Sequence, residues 1–206
     1  DVHTWNVFWN EKYADQILMY DSIRDTIGVT LIKLGYSLNT RDESAVKAAE
    51  QALIEQKHLV YAYLGDSIKE RMIGGNGAVA VVYSGDAMWC MDEEEGNPDL
   101  RYCVPDEGSN VWFDNVIVPK TSEHTAEAEA FINFLCDAEV AKANTEYIGY
   151  STPNKAAMAL LDPEMLANET YNPPQEVLDR CEVFHDLGDF INVYNDAWIN
   201  IKSHVD

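Results

Sequence analysis

Positive charge is scarce in this 206-residue sequence: 14 lysines and arginines face 36 aspartates and glutamates, for a formal charge of −22. A field of that sign repels phosphate backbones and anionic bilayers, so nucleic acid is not an expected partner. It draws cations toward any cleft, although an acidic surface also serves solubility alone. No run of about 18 apolar residues occurs, which argues against a membrane-spanning helix, and Asp1 opens on no basic-then-apolar leader. Cys90, Cys103, Cys136 and Cys181 stand far apart, without the close pairs of a zinc ribbon or redox motif. Cys90 and Cys103 could bond if the segments carrying them pack together; a buried free thiol is the equal alternative. His3, His58, His124, His185 and His204 fall in no metal spacing, and nucleophile elbow, phosphate loop and HExxH motif are all missing. Gly74-Gly75-Asn76-Gly77 precedes a strand pattern instead of following one, the wrong order for a dinucleotide loop. No motif therefore points to an enzyme, a cofactor or a metal.

What is present is a chain 47% hydrophobic, enough to bury a sizeable core. Helical and strand-like periods alternate, which predicts an α/β architecture. Ile23, Ile27, Leu31 and Leu34 recur at helical spacing behind the capping candidates Asp21 and Ser22, and Gly35 follows as a stop. Further helices are predicted over 43–56, from an Asp66 cap to Gly74, from Thr125 to Gly149 in two pieces, and over 190–204. Thr152 is the expected cap of a helix starting at Pro153. Short β-branched or aromatic runs predict strands at 17–19, 59–64, 78–83, 100–104 and 111–118.

Candidate ligand groups sit where such strands end and helices begin, the usual place for sites in α/β sheets. Tyr83 closes an apolar strand ahead of the sharp Ser84-Gly85-Asp86 turn; taken alone, it is explained by packing. In a strand over 111–118, alternation sends Trp112 and Asp114 to one face and Phe113 to the other. A carboxylate there either faces water or meets a cation. Asp25 lies in a first helical turn, where capping and dipole effects already account for an acid.

Several blocks carry a resemblance to a known family: Trp5-Asn6-Val7-Phe8-Trp9 with Tyr13, Lys33-Leu34-Gly35-Tyr36-Ser37 with Asn39-Thr40, and Ile148-Gly149-Tyr150-Ser151-Thr152-Pro153-Asn154 downstream of Trp112-Phe113-Asp114. Their order along nearly the whole chain resembles the spermidine/putrescine-binding proteins of bacterial ABC importers. The resemblance implies a type II periplasmic-binding-protein-like lobe, with a mixed sheet flanked by helices. It implies a polyamine held between two lobes, rings around its methylenes and carboxylates at its ammonium ends. Trp112, Asp114 and Tyr150 match the family's motif types. Tyr83 stands where Trp is usual and Asp25 where Glu is common, while Ser22 replaces an acid and Phe184 an amide. Loss of the acid at Ser22 favours a shorter diamine such as putrescine.

By the same resemblance, most of the first lobe is missing ahead of the Trp5 block. Residues 1–113 and 160–206 would form the second lobe and 114–159 the returning segment of the first, open to strand exchange or dimerisation. The implied partner is an ABC permease, and the implied location periplasmic or extracellular, with a membrane anchor in an N-terminal lipoprotein segment. Other readings are a sensor on the same fold, an iron carrier using tyrosine clusters, and an enzyme with Asp25 and Asp114 as paired carboxylates.

Overall fold

The structure, a computed structural model, describes residues 2–92 and 94–205. Two 3-10 turns, Trp5–Trp9 and Glu11–Tyr13, lead into strand β1 (Ile17–Tyr20) and helix α1 (Ile23–Lys33). The punctuation of α1 is as the sequence predicts: Ser22 is the N-cap, and Gly35 takes the left-handed conformation at φ 81° just beyond the end. Helix α2 (Glu43–Gln56), β2 (Val60–Leu64), α3 (Ile68–Ile73), β3 (Val79–Ala80) and α4 (Ser84–Cys90) complete a compact βα series. Then come β4 (Asn110–Val111), α5 (Thr125–Leu135), α6 (Ala138–Ile148), α7 (Lys155–Met158), α8 (Pro163–Ala167), α9 (Gln175–Leu178), β5 (Glu182–Val183) and α10 (Ile191–Ser203).

β1 is the middle strand of a parallel sheet ordered β2-β1-β3. Its residues Ile17, Leu18 and Met19 are fully buried, as befits a parallel strand covered on both faces. Ile17 and Met19 join the main core with α1, α2 and α10, while Leu18 points the other way onto Ile68 and Met72 of α3. α10 closes that main core with Tyr194, Ala197 and Ile201. β4 and β5 form a separate parallel pair, Asn110 opposite Glu182 and Val111 opposite Val183.

Five expectations need correction. Every ladder among the described residues is parallel, so the sheet is not mixed there. Residues 100–104 form no strand, and the run predicted over 111–118 pairs only at its start, since β4 ends at Val111. A β-rich composition makes a strand only where a neighbour supplies hydrogen bonds, and Phe113, Val116 and Ile117 lie exposed instead. Ser67, not Asp66, precedes α3, without a side-chain capping bond. Finally, Asn154 caps α7 by accepting from Ala156 and Ala157, leaving Thr152 and Pro153 outside the helix. All four cysteines are free thiols, Cys90 buried.

Candidate functional site

Asp25 enters the site because β1 ends at Tyr20 and α1 begins at Ile23, two residues before Asp25. The residue is 9% exposed, and both of its carboxylate oxygens accept hydrogen bonds. Ser22 Oγ donates a short hydrogen bond to Oδ2, and Tyr83 Oη donates to the same oxygen at 3.0 Å. Asn110 Nδ2 donates to Oδ1 at 3.1 Å. One carboxylate thus joins the start of α1, the residue immediately ahead of α4, and the first residue of β4. Burial, reinforced by the Asp25 charge, pushes the Tyr83 hydroxyl well above the usual phenol range, so it remains a donor.

Aromatic rings line up beside this acid. Tyr20 and Tyr83 lie 4.7 Å apart between centroids at 52°, Tyr83 and Trp112 4.6 Å apart at 54°, and Trp112 and Tyr150 5.8 Å apart at 73°. All are tilted or edge-on rather than face-to-face, as the ring quadrupoles favour. Tyr150 reaches the row because Gly149 ends α6 in the left-handed conformation (φ 74°) and Gly85 carries no side chain. A Cβ on Gly85 would stand 2.3 Å from the Tyr150 ring, so the phenol lies directly on the first turn of α4. Burial raises the Tyr150 hydroxyl too, and the charge of Asp86 adds to it. Asp86 itself pairs with Lys69 at 3.2 Å.

Two cavities meet at Asp25, Tyr83, Asn110 and Trp112. The larger, about 660 Å³, extends past Tyr20 and Tyr150 to Asp114. The smaller, about 280 Å³, is also lined by Arg24 and Phe184, whose ring lies 4.6 Å from the guanidinium. The structure therefore brings Asp25, Tyr83, Trp112 and Tyr150 together, with Phe184 at one end. Asp114 is exposed and lines the larger cavity from irregular backbone rather than from a strand face. Ser22 lines neither cavity and acts through Asp25.

Sequence reasoning missed Tyr20, Asn110 and Arg24. Tyr20 and Arg24 adjoin Asp25 in the same strand-to-helix block, and that proximity was the available signal. Asn110 had none, because its role depends on the β4–β5 pairing.

The family described as bacterial extracellular solute-binding protein matches residues 3–176. This chain belongs to it. Among solved structures, this solute-binding protein is similar to a putative spermidine/putrescine ABC transporter from Listeria monocytogenes, with a TM-score of 0.91 and 38% identity over 98% of this chain and 62% of that one. It also matches the spermidine/putrescine ABC transporter substrate-binding protein of Streptococcus pneumoniae, with a TM-score of 0.85 and 36% identity over 97% of this chain and 61% of that one. A curated relative, the spermidine/putrescine-binding periplasmic protein of Salmonella typhimurium, is 31% identical over 98% of this chain and 57% of its own length. The chain thus spans little more than half of the curated relative it matches. These likenesses give the solute-binding protein a periplasmic-binding-protein-like α/β fold, which agrees with its parallel βα core.

Proposed function

We propose that this chain supplies the ligand-receiving wall of a polyamine-capturing protein, which binds its ligand outside the cytoplasm without converting it and hands it to an ABC permease. The observation that carries this reading is the Asp25 carboxylate at the junction of two cavities, beside the row Tyr20, Tyr83, Trp112 and Tyr150. An ammonium has a carboxylate to meet there, and a methylene chain has aromatic faces to cover it. A cation over a ring contributes about 0.5–2 kcal/mol and a charge-assisted contact about 1.5–3 kcal/mol. A few such contacts, less association costs, reach the roughly −8 kcal/mol of micromolar binding. Asp114, which lines the same larger cavity, is a second acid that a diamine can address.

The exposed apolar side chains support a further element of the proposal. Residues 1–113 and 160–206 form one lobe, and 114–159 belong to a second lobe that closes over the ligand. α5 has no buried residue and presents Phe131 and Phe134 to solvent, as the segment before it presents Ile117.

The test is thermal denaturation with putrescine, spermidine and spermine. A ligand at one hundred times its Kd stabilises by about 2.7 kcal/mol, which for a chain of this size raises Tm by roughly 5–11 °C. Mass spectrometry should return the ligand unchanged. Absence of any shift, together with a flat calorimetric titration, overturns the proposal.

A further inference from the structure

The smaller cavity holds a cation of its own. Arg24 donates from Nη2 to Asn39 Oδ1 at 3.0 Å and to the Leu38 carbonyl at 3.5 Å, and from Nη1 to the His185 carbonyl at 3.2 Å. Its guanidinium stands 4.6 Å from the centre of the Phe184 ring and 5.5 Å from that of Tyr194. Arg24 Nε is buried without a hydrogen-bond partner among the described residues. Three acceptors and two rings therefore fix this charge beside the ligand space rather than leaving it free to swing into solvent.

The charges at this end can be counted. The smaller cavity is lined by one carboxylate, Asp25, one guanidinium, Arg24, and the neutral side chains Tyr83, Asn110, Trp112 and Phe184. Ser22, behind Asp25, adds no charge. The end is neutral in sum, with its negative member already bonded to three neutral donors. One ammonium can meet Asp25 there, whereas a further cationic nitrogen meets Arg24 at short range in a partly desolvated space, where like charges are poorly screened.

We propose that Arg24 is a specificity-determining residue, whose fixed charge biases the Asp25 end of the cavity toward a diamine and against polyamines with additional ammonium groups. The inference rests on the polyamine reading above. A diamine that places one ammonium at Asp25 and runs past Tyr83 and Trp112 into the larger cavity keeps clear of Arg24. A longer ligand carries one more positive charge into the same field.

Calorimetry with putrescine and spermidine on the wild-type chain, Arg24→Met, Arg24→Gln and Arg24→Lys tests this. The readout is the ratio of spermidine Kd to putrescine Kd, which general loosening of the site would not shift in a charge-dependent direction. The ratio should fall about tenfold in the Met and Gln variants, as expected for removing one nearby like charge, and stay within about twofold of wild type in the Lys variant. An unchanged ratio in the neutral variants, with both ligands still bound, overturns the inference and leaves the polyamine reading intact. Failure of the wild-type chain to bind either ligand overturns both. Should the neutral variants fail to fold, Ser22→Asp adds a negative charge at the same end; it should lower the ratio likewise, and an unchanged ratio there overturns the inference.

Discussion

Gly85→Ala is expected to displace Tyr150 from the aromatic row, and the size of the effect follows from the packing. The added Cβ would lie 2.3 Å from Cδ2 and Cε2 of Tyr150 and 2.6 Å from its Cγ. Carbon atoms in ordinary contact keep about 3.5–4.0 Å, so more than 1 Å of overlap must be relieved. Overpacking of this kind costs about 1–3 kcal/mol, or roughly 2–12 °C of Tm in a chain of this length. Gly85 has no positive φ and lies in helix α4, so nothing in its backbone opposes alanine. The three nearest atoms all belong to Tyr150. In a Tyr150→Ala background the same substitution should therefore be neutral, or stabilising by up to about 1 kcal/mol through helix propensity. Urea denaturation of the four proteins in a double-mutant cycle measures the coupling. An equal cost of Gly85→Ala in both backgrounds would refute the claim that this glycine exists to seat the ring.

Asp25→Asn should weaken polyamine binding at least about tenfold by calorimetry, because the ammonium loses its charged partner while the neighbouring donors remain; wild-type affinity would remove Asp25 from the site. Trp5→Phe should cost about 1–3 kcal/mol in urea unfolding, since the indole donates to the buried Gly108 carbonyl at 2.7 Å and phenylalanine leaves that oxygen unpaired. Burial, with the charge of Asp21 adding to it, pushes the Tyr63 hydroxyl up to about 12, and Tyr63 Oη is buried with no hydrogen-bond partner among the described residues. The folded state holds this proton beyond the unfolded value of about 10, so the contribution is intact below about pH 10 and is lost as pH rises to about 12. Tyr63→Phe should flatten stability across that window and leave neutral-pH stability unchanged or slightly higher; a steeper alkaline decline would contradict this.

The sequence was most legible where structure is decided locally. Ser22 and Gly35 mark the ends of α1 because a cap and a left-handed stop act within one turn. α10 was found within one residue of each end because its apolar spacing repeats over several turns. Legibility failed where a partner far along the chain decides. Residues 112–118 have strand-like composition, yet among the described residues no neighbouring strand pairs them, so the shared face inferred for Trp112 and Asp114 does not arise from alternation. Trp112 still joins the aromatic row, placed by its contacts with Tyr83 and Tyr150. Asn110 was invisible for the reciprocal reason, since β5 lies more than seventy positions away and only their pairing turns the amide toward Asp25. Capping explained Asp25 at sequence level, and the structure adds the tyrosine and amide that capping alone does not require.

The placement of α10 has a bearing on how the molecule is made. Tyr194 donates to the Thr40 carbonyl across 154 positions, and Ala197 and Ile201 complete a core otherwise drawn largely from residues 5–59. A nascent chain can form α1 and α2 early, but their shared apolar face has no cover until the helix over Ile191–Ser203 emerges. Such long-range closure slows folding relative to local contacts. The cover thus comes last among the parts of the main core, so a chain stopped ahead of Ile191 would leave α1 and α2 with an uncovered apolar face, and the core completes in a single step when α10 docks.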